Sequence, residues 1–270
     1  MKKTIFLSAV LALFIGCGGG SGGNGSTTKT PNKQIISNNT DEKNDKTAPK
    51  SEAIISTEGP AKSVAVSDNT LFVAEGKNGV EILKIGFSDS VSSELLYKID
   101  NVDAKKVTLS KDAKTLLVEK ADGKIVVVDV RDLSHPKVVG EQPKSNLDDD
   151  TTTKDGTYKY VAKGQNGMEV WDISNPSNPE KVGELKSSSC YEVVLIDDDK
   201  KALIATGSVG IKLLKLDNPK VPNPVSTYRV KGASVTGLSL NGTKDALFVA
   251  TGKSGVMVFN LDMLLEKMGY

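Results

Sequence analysis

The hydrophobic pattern of the chain repeats five times at a nearly constant spacing. In each copy a glycine is followed by a short run in which apolar residues alternate or cluster. The glycines lie 44, 44, 43 and 45 residues apart, and the five runs cover 79–85, 123–130, 167–173, 210–216 and 255–261. Short runs rich in Val, Ile and Leu, bounded by turn residues, are typical of β-strands. The pattern therefore predicts five copies of one β-rich unit.

Each glycine-led strand is preceded by two more strand-like runs and followed by a fourth. In the first copy, the runs at 63–66 and 71–74 are separated by a polar turn at 67–69. The fourth run follows a polar or proline-containing loop, as at 179–185. Four antiparallel strands at a period of about 40–50 residues are the signature of a propeller blade. The sequence therefore predicts an all-β fold, a five-bladed β-propeller of four-stranded antiparallel blades, over residues 52–270.

The last copy lacks a fourth strand of its own, because only nine residues follow position 261. Residues 53–57, ahead of the first copy, read as a strand and align with the fourth strand at 224–228. One blade cannot cover both of its faces alone, so the repeats must close into a ring or stack on another chain. We predict that the strand at 53–57 completes the last blade and closes a monomeric ring. The alternative is an open stack that needs a second chain.

Two segments, 124–140 and 169–183, carry a longer shared pattern. They contain Ile-Val-Val-Val-Asp-Val and Glu-Val-Trp-Asp-Ile, and each continues into a proline-marked turn and a Lys-Val-Val-Gly or Lys-Val-Gly strand. This pattern resembles the LVIVD repeat of bacterial surface propellers. The fourth copy keeps part of it at 216–219, and the resemblance extends over about residues 53–261. It implies the propeller fold and is nearly silent on function, because most of that family consists of uncharacterised exported proteins.

The turn within this pattern has a physical basis. Asp129 and Asp172 can accept hydrogen bonds from backbone N–H groups of the following turn. Pro176 and Pro179 then block further strand pairing at the outer edge. We predict a structural role for these four residues.

The N-terminal residues predict export and a lipid anchor. Lys2 and Lys3 precede an apolar run at 5–15, which is shorter than the about 20 residues that a spanning helix needs. The cysteine after Phe14-Ile15-Gly16 resembles the lipobox of bacterial lipoproteins, although Phe14 departs from the usual Leu. The resemblance implies a signal peptide at 1–16 and lipidation of Cys17. The alternative is an ordinary cleaved signal in which Cys17 is incidental.

Residues 17–51 are rich in Gly, Ser, Thr, Asn, Lys and Pro and poor in apolar residues. Such a segment predicts a flexible linker, with a root-mean-square span on the order of 30 Å for some 35 residues. The residue after Cys17 is Gly18, not Asp, and in the enterobacterial pattern this favours the outer membrane. The expected location is therefore the bacterial cell envelope, with the chain bound to a membrane through Cys17.

Composition excludes several classes of protein. Lys and Arg number 35 against 34 Asp and Glu, which leaves no overall field to attract nucleic acid. Cys17 and Cys190 are the two cysteines, so neither a disulfide framework nor a cysteine-based metal site is expected. Cys190 is most simply a buried small apolar residue.

Catalytic patterns are scarce, and one cluster suggests a metal. His135, the single histidine, lies in a proline-marked outer loop. In the third copy the first strand reads Leu147-Asp148-Asp149-Asp150-Thr151, and a first strand lines the central channel of a propeller. Asp148, Asp149 and Asp150 are therefore candidate Ca²⁺ ligands at a channel mouth. The alternative is a solvated polar loop, and Asp197, Asp198 and Asp199 read as the solvated tip of a hairpin.

These observations favour a non-catalytic binding or scaffold propeller that contacts an envelope protein or a glycan through its loops. No catalytic residue or cofactor is assigned. A glycoside-processing enzyme is the alternative; it would need Asp148 or Asp149 and a second channel carboxylate about 5–10 Å away. An assembly factor of an envelope complex is the third hypothesis.

Overall fold

The computed structural model describes residues 52–88, 90–143 and 151–270, together with residue 49. These residues form five four-stranded antiparallel sheets and one short helix, so the predicted five-bladed β-propeller is confirmed. The predicted signal peptide, Cys17 and Asp148 to Asp150 lie outside the described residues.

Strand β1 (Ala53–Ile55) precedes the first blade, and the next eight strands form two blades. Blade 1 consists of β2 (Ser63–Ser67), β3 (Thr70–Ala74), β4 (Val80–Phe87) and β5 (Val91–Ile99). Blade 2 consists of β6 (Ala104–Leu109), β7 (Thr115–Lys120), β8 (Lys124–Asp129) and β9 (Lys137–Pro143).

The remaining strands form three blades, and β1 is the fourth strand of the last one. Blade 3 consists of β10 (Thr151–Thr152), β11 (Tyr158–Ala162), β12 (Met168–Asp172) and β13 (Glu180–Leu185). Blade 4 consists of β14 (Glu192–Ile196), β15 (Lys201–Ala205), β16 (Ile211–Lys215) and β17 (Asn223–Tyr228). Blade 5 consists of β18 (Gly237–Leu240), β19 (Ala246–Ala250), β20 (Val256–Asn260) and β1.

The ring closes as the sequence predicts, because β1 pairs antiparallel with β20 from Ala53 opposite Val258 to Ile55 opposite Val256. Ala53 and Ile55 are buried in a cluster shared by blades 5 and 1. Glu52 extends the closure, since its Oε1 accepts hydrogen bonds from Tyr228 Oη at 2.6 Å and Lys267 Nζ at 2.7 Å. Burial of Glu52 opposes ionisation, but these two hydrogen bonds lower the pKa of its carboxyl group below the usual value.

Buried apolar residues lie between blades, because each sheet has apolar side chains on both faces. Four buried clusters fill the seams between blades 5 and 1, 1 and 2, 4 and 5, and 3 and 4. No corresponding cluster lies between blades 2 and 3 among the described residues. Strand β9, the outer strand of blade 2, is exposed along its whole length. The seam between blades 2 and 3 therefore has the least apolar burial in the described ring.

Reciprocal backbone hydrogen bonds also join neighbouring blades. In each case a glycine in the turn between the second and third strands pairs with a residue at the start of the next blade or just ahead of it. The pairs are Gly76 with Ala104, Gly164 with Cys190, Gly207 with Val235, and Gly252 with Ala61. Their N···O distances run from 2.7 to 3.0 Å. Ala121 takes the equivalent position in blade 2, but its N–H donates to Asp103 O at 3.0 Å, at the start of the same blade and not of the next one.

Blade 2 is offset by one residue relative to blades 1, 3 and 4. A β-bulge follows the turn glycine by three residues in blades 1, 3 and 4, as at Leu213 after Gly210. In blade 2 the bulge at Val127 lies four residues after Gly123, so Lys124 takes the place of the other glycines. The turn differs because Asp122 and Gly123 close it, with Asp122 Oδ1 accepting the N–H of Lys124 at 3.1 Å. Gly123 still adopts a left-handed conformation, with φ 83°.

Helix α1 (Leu261–Lys267) follows blade 5 and ends the chain against the ring. The side chain of Asn260 caps it by accepting the N–H of Met263 at 3.1 Å, and Leu261 and Leu264 are buried. Beyond the helix, Lys201 Nζ and Lys215 Nζ lie 5.7 and 5.6 Å from the ring centroid of Tyr270. Within the described part of the chain, no helix has the length and apolar character needed to span a bilayer.

We predict that Ile55→Ala lowers the free energy of unfolding by about 2–5 kcal/mol, because it leaves a cavity in the closing strand. Ile54→Ala is the matched control: Ile54 is 40% exposed and Ile55 is fully buried. Urea unfolding followed by circular dichroism measures both variants. Equal losses would contradict a closing role for the inward face of β1.

A second prediction concerns the turn glycines. A Cβ at Gly210 would lie 2.2 Å from the carbonyl oxygen of Tyr228, and φ there is 111°. A Cβ at Gly123 would meet no atom within 4 Å. We expect Gly210→Ala to destabilise the fold by about 3 kcal/mol or more. Gly123→Ala should cost only the left-handed backbone strain of about 1–2 kcal/mol, and thermal unfolding of both variants checks the order.

Candidate functional site

The ring presents two faces made of loops. The upper face, as we name it, contains the turns between second and third strands and the segments that lead into the next blade. Its described segments are 56–62, 75–79, 100–103, 121–123, 163–167, 186–191, 206–210, 229–236 and 251–255. The lower face contains the turns between first and second strands and between third and fourth strands. Binding through loops would use one of these faces or the channel between them.

The first strands of the blades surround a channel of about 270 Å³. A pocket for a drug-sized ligand is typically about 300–1,000 Å³, so this channel is small. Its lining is mostly apolar or hydroxyl-bearing, and its described residues are Val64, Ala65, Val66, Lys106, Val107, Thr108, Leu109, Thr151, Glu192, Val193, Val194, Leu238, Ser239 and Leu240.

The channel wall is irregular at blade 3, whose first strand has only two residues, Thr151 and Thr152. Thr151 Oγ1 donates a hydrogen bond to Val193 O at 2.6 Å, which holds this short strand against blade 4. Lys106 of blade 2 and Glu192 of blade 4 form an ion pair with Nζ and Oε1 3.2 Å apart. Their side chains are only 16% and 13% exposed. The ion pair therefore links blades 2 and 4 directly, alongside the shortened strand of blade 3.

This geometry limits the chemistry that the described channel supports. A glycoside hydrolase of the usual kind needs two carboxyl groups that face the scissile bond. The described lining residues contain one carboxylate, Glu192, and it is engaged by Lys106. They also contain no aromatic residue that could stack on a sugar ring. The described channel thus lacks the second carboxylate that the glycoside-processing hypothesis requires.

The calcium prediction remains a prediction, since Asp148, Asp149 and Asp150 are not among the described residues. In the part of the chain that is described, no three His, Cys, Asp or Glu side chains are arranged to hold a metal ion. Thr151, the next residue along, does line the channel.

Cys190 is buried, as expected, at the seam between blades 3 and 4. Its backbone forms the reciprocal hydrogen bonds with Gly164, and its thiol lies 3.6 Å from Glu192 O. Burial raises the pKa of the Cys190 thiol far above its usual value, which keeps it protonated and unreactive.

The predicted Asx turns are present on the lower face. Asp129 Oδ1 accepts the N–H of Arg131 at 3.1 Å, and Asp172 Oδ1 accepts the N–H of Ser174 at 3.1 Å. The hydrogen bonds from Arg131 lower the pKa of Asp129 to about 2. His135 is exposed, with Nδ1 3.3 Å from Asp132 Oδ2. These residues shape the turns, as the sequence predicts.

The acidic hairpin tip of blade 4 is exposed at Asp197 and Asp198, as predicted, and it also contacts blade 3. Asp197, Asp198 and Asp199 all have positive φ, at 51°, 48° and 64°. Such a conformation is costly for residues with a Cβ. Asp199 Oδ2 accepts the N–H of Lys154 at 2.5 Å, and the Lys154 ammonium pairs with Asp198. The tip therefore joins the lower faces of blades 3 and 4.

Sequence reasoning missed Lys106 and Glu192. The available signal was a charged side chain in a first strand that is otherwise apolar, at Lys105-Lys106-Val107 and at Glu192-Val193-Val194. That signal marks each residue as unusual but does not pair them, because 86 positions separate them in the sequence.

Comparison with solved structures agrees with the architecture. A chain in the crystal structure of a mitotic checkpoint complex aligns with a TM-score of 0.56 and 11% identity, over 84% of this chain and 99% of that one. The β-propeller domain of Cps50 (Swd1) from Myceliophteria thermophila aligns over 80% of this chain and 78% of that one, with 8% identity. Its TM-score of 0.37 is too low to support an argument. At these identities the likeness concerns the fold alone.

The fold and its closure define the chain as a five-bladed β-propeller protein. No curated protein sequence matches it significantly. The LVIVD repeat matches residues 58–97, 118–142 and 155–186, which fall in blades 1, 2 and 3. The chain is therefore a five-bladed propeller that contains LVIVD repeats, and blades 4 and 5 extend the same architecture beyond the matched segments.

We predict that the Lys106–Glu192 pair contributes to ring stability. Lys106→Met and Glu192→Gln should each lower the free energy of unfolding by about 1–3 kcal/mol, because each leaves a poorly solvated partner. The double variant should lose less than the sum, with a coupling of about 1 kcal/mol. Lys114→Met is the control, since Lys114 and its partner Asp112 are 62% and 59% exposed, and this change should cost less than about 1 kcal/mol. Strict additivity in urea unfolding would refute the coupling.

Proposed function

We propose that this chain is a non-catalytic binding or scaffold propeller, anchored to the bacterial cell envelope by lipid on Cys17. The observation that carries the binding role is the channel, which is small and contains one described carboxylate, already paired with Lys106. A rigid ring with such a channel offers its loop faces for recognition. The partner is an envelope protein or a glycan, and the ring acts as a monomer because β1 closes it.

The N-terminal sequence supports the anchoring part of the proposal. Lys2 and Lys3, the apolar run at 5–15 and the Gly16-Cys17 pair follow the order of a lipoprotein signal. The linker at 17–51 would let the propeller reach partners near the membrane. Gly18 after the cysteine supports the outer membrane as the destination. An assembly factor of an envelope complex is a specific form of the same scaffold role.

Replacing Cys17 tests the anchor. In cells fed radiolabelled palmitate, the full-length chain should incorporate label and sediment with membranes. Cys17→Ser should lose both properties, because the thiol is the acceptor of the lipid. Cys190→Ser is the matched control, since Cys190 is buried and should leave labelling unchanged. Labelling of the Cys17→Ser variant would exclude Cys17 as the lipid acceptor, and no labelling of the wild type would exclude a lipoprotein.

Capture of partners tests the binding role. The wild-type chain, crosslinked in cells and purified from envelope extracts, should retain a defined set of envelope proteins or glycans. The same experiment with a chain of disrupted closure, Ile55→Ala, controls for adhesion by unfolded protein.

A further inference from the structure

The upper face of blades 4 and 5 is a continuous surface made of four loops. These loops, which we call the basic face, are 186–191, 206–210, 229–236 and 251–255. The backbone pair Gly207–Val235 joins two of them, and Cys190 joins the first to the neighbouring turn at Gly164. The ring of Tyr191 lies against the turns at Gly164 and Gly207. The loops are thus fixed side by side by the blades beneath them.

The basic face carries charge of one sign. Its loops contain Lys186, Arg229, Lys231 and Lys253, all of them exposed, and no Asp or Glu. A fifth cationic group reaches the same surface from β16, because Lys212 Nζ donates to Ser188 Oγ.

Most of this charge is not neutralised within the ring. Lys186 pairs with Glu184, with Nζ and Oε1 2.7 Å apart. Among the described residues, no carboxylate lies within 4.0 Å of the cationic groups of Arg229, Lys231 or Lys253. These three side chains remain available to an external anion.

The lower face of the same two blades has the opposite character. Its turns at 197–200, 216–222 and 241–245 contain five Asp residues and three Lys residues. The chain as a whole has a net charge of only +1, so the basic face is a local concentration of positive charge. A near-neutral protein with one basic face presents that face to negatively charged surfaces.

We propose that the basic face contacts the anionic headgroups of a phospholipid bilayer. This proposal deepens the proposed function, since a lipid on Cys17 would hold the propeller close to such a surface. Clusters of 4–8 Lys and Arg side chains are typical of binding to anionic lipid. The basic face would orient the ring and leave its lower face open to partners.

The side chains of the basic face fit lipid headgroups better than a protein partner. Protein interfaces are enriched in aromatic residues and Met at their centres and depleted of Lys. The basic face consists mostly of Lys, Ser, Thr and Gly, and Tyr191, its one aromatic residue, is half-buried against the ring. Val209, at 40% exposure, is its one large exposed apolar side chain. Attraction between charges, without apolar insertion, is the interaction that this surface supports.

Binding to vesicles tests the proposal separately from the anchor. The protein is the mature chain 17–270 with Cys17→Ser, which carries no lipid and retains every strand of the ring. It is sedimented with vesicles of phosphatidylcholine alone, or of phosphatidylcholine with phosphatidylglycerol. We expect binding only to vesicles with phosphatidylglycerol, weakened by added salt.

Two triple variants with the same change in net charge locate the contact. Arg229→Gln, Lys231→Gln and Lys253→Gln together should lower the partition coefficient on the order of a hundredfold, from about 1 kcal/mol per basic residue. Lys111→Gln, Lys200→Gln and Lys244→Gln, on exposed turns of the lower face, should change it by less than about threefold. The three upper-face single variants should each give about a fivefold loss, and they preserve the test if the triple variant does not fold.

Three outcomes would overturn the proposal. One is the absence of binding to phosphatidylglycerol vesicles. Another is an equal loss in the two triple variants, which would assign the attraction to net charge or to the linker. The third is binding to poly-glutamate without binding to vesicles, which would assign the basic face to an acidic polypeptide. None of these outcomes bears on lipidation of Cys17, which is measured independently by labelling.

Discussion

Each four-stranded sheet of this protein has apolar side chains on both faces, and water must be kept from both. A single blade cannot achieve this, and neither can a row of blades with two free ends. The buried clusters accordingly lie between blades, and the ring has no terminal blade with an uncovered face once β1 joins β20. The pairing of the three residues of β1 with β20 therefore determines whether every blade has a neighbour on both faces.

The faces of the blades are not covered equally well at every seam of the ring. Four seams combine a buried apolar cluster with a reciprocal pair of backbone hydrogen bonds that involves a turn glycine. Between blades 2 and 3 the described residues show neither, and Ala121 takes the position of that glycine. Blades 2 and 4 are instead joined by Lys106 and Glu192 inside the channel. A polar link between non-adjacent blades thus contributes where apolar burial is weakest.

The sequence was sufficient for features that repeat or that depend on nearby residues. The five glycine-led strands, the turns at Asp129 and Asp172 and the closing strand at 53–55 can all be read from spacing and residue type. The one-residue offset in blade 2 could not, since Gly123 occupies a different place in its turn. The pairing of Lys106 with Glu192 and the three left-handed Asp residues depend on contacts between blades, which no local pattern records.

The closing strand also affects the order in which the fold can form. β1 comes from the beginning of the domain sequence and β20 from its end. A chain made from its N-terminus therefore holds β1 without its partner until nearly the whole domain has been synthesised. Blades 1 to 4 can assemble their own hydrogen bonds earlier, but the ring becomes a single cooperative unit only at the last step. Until then the apolar surfaces that blades 5 and 1 share in the finished ring remain exposed to water.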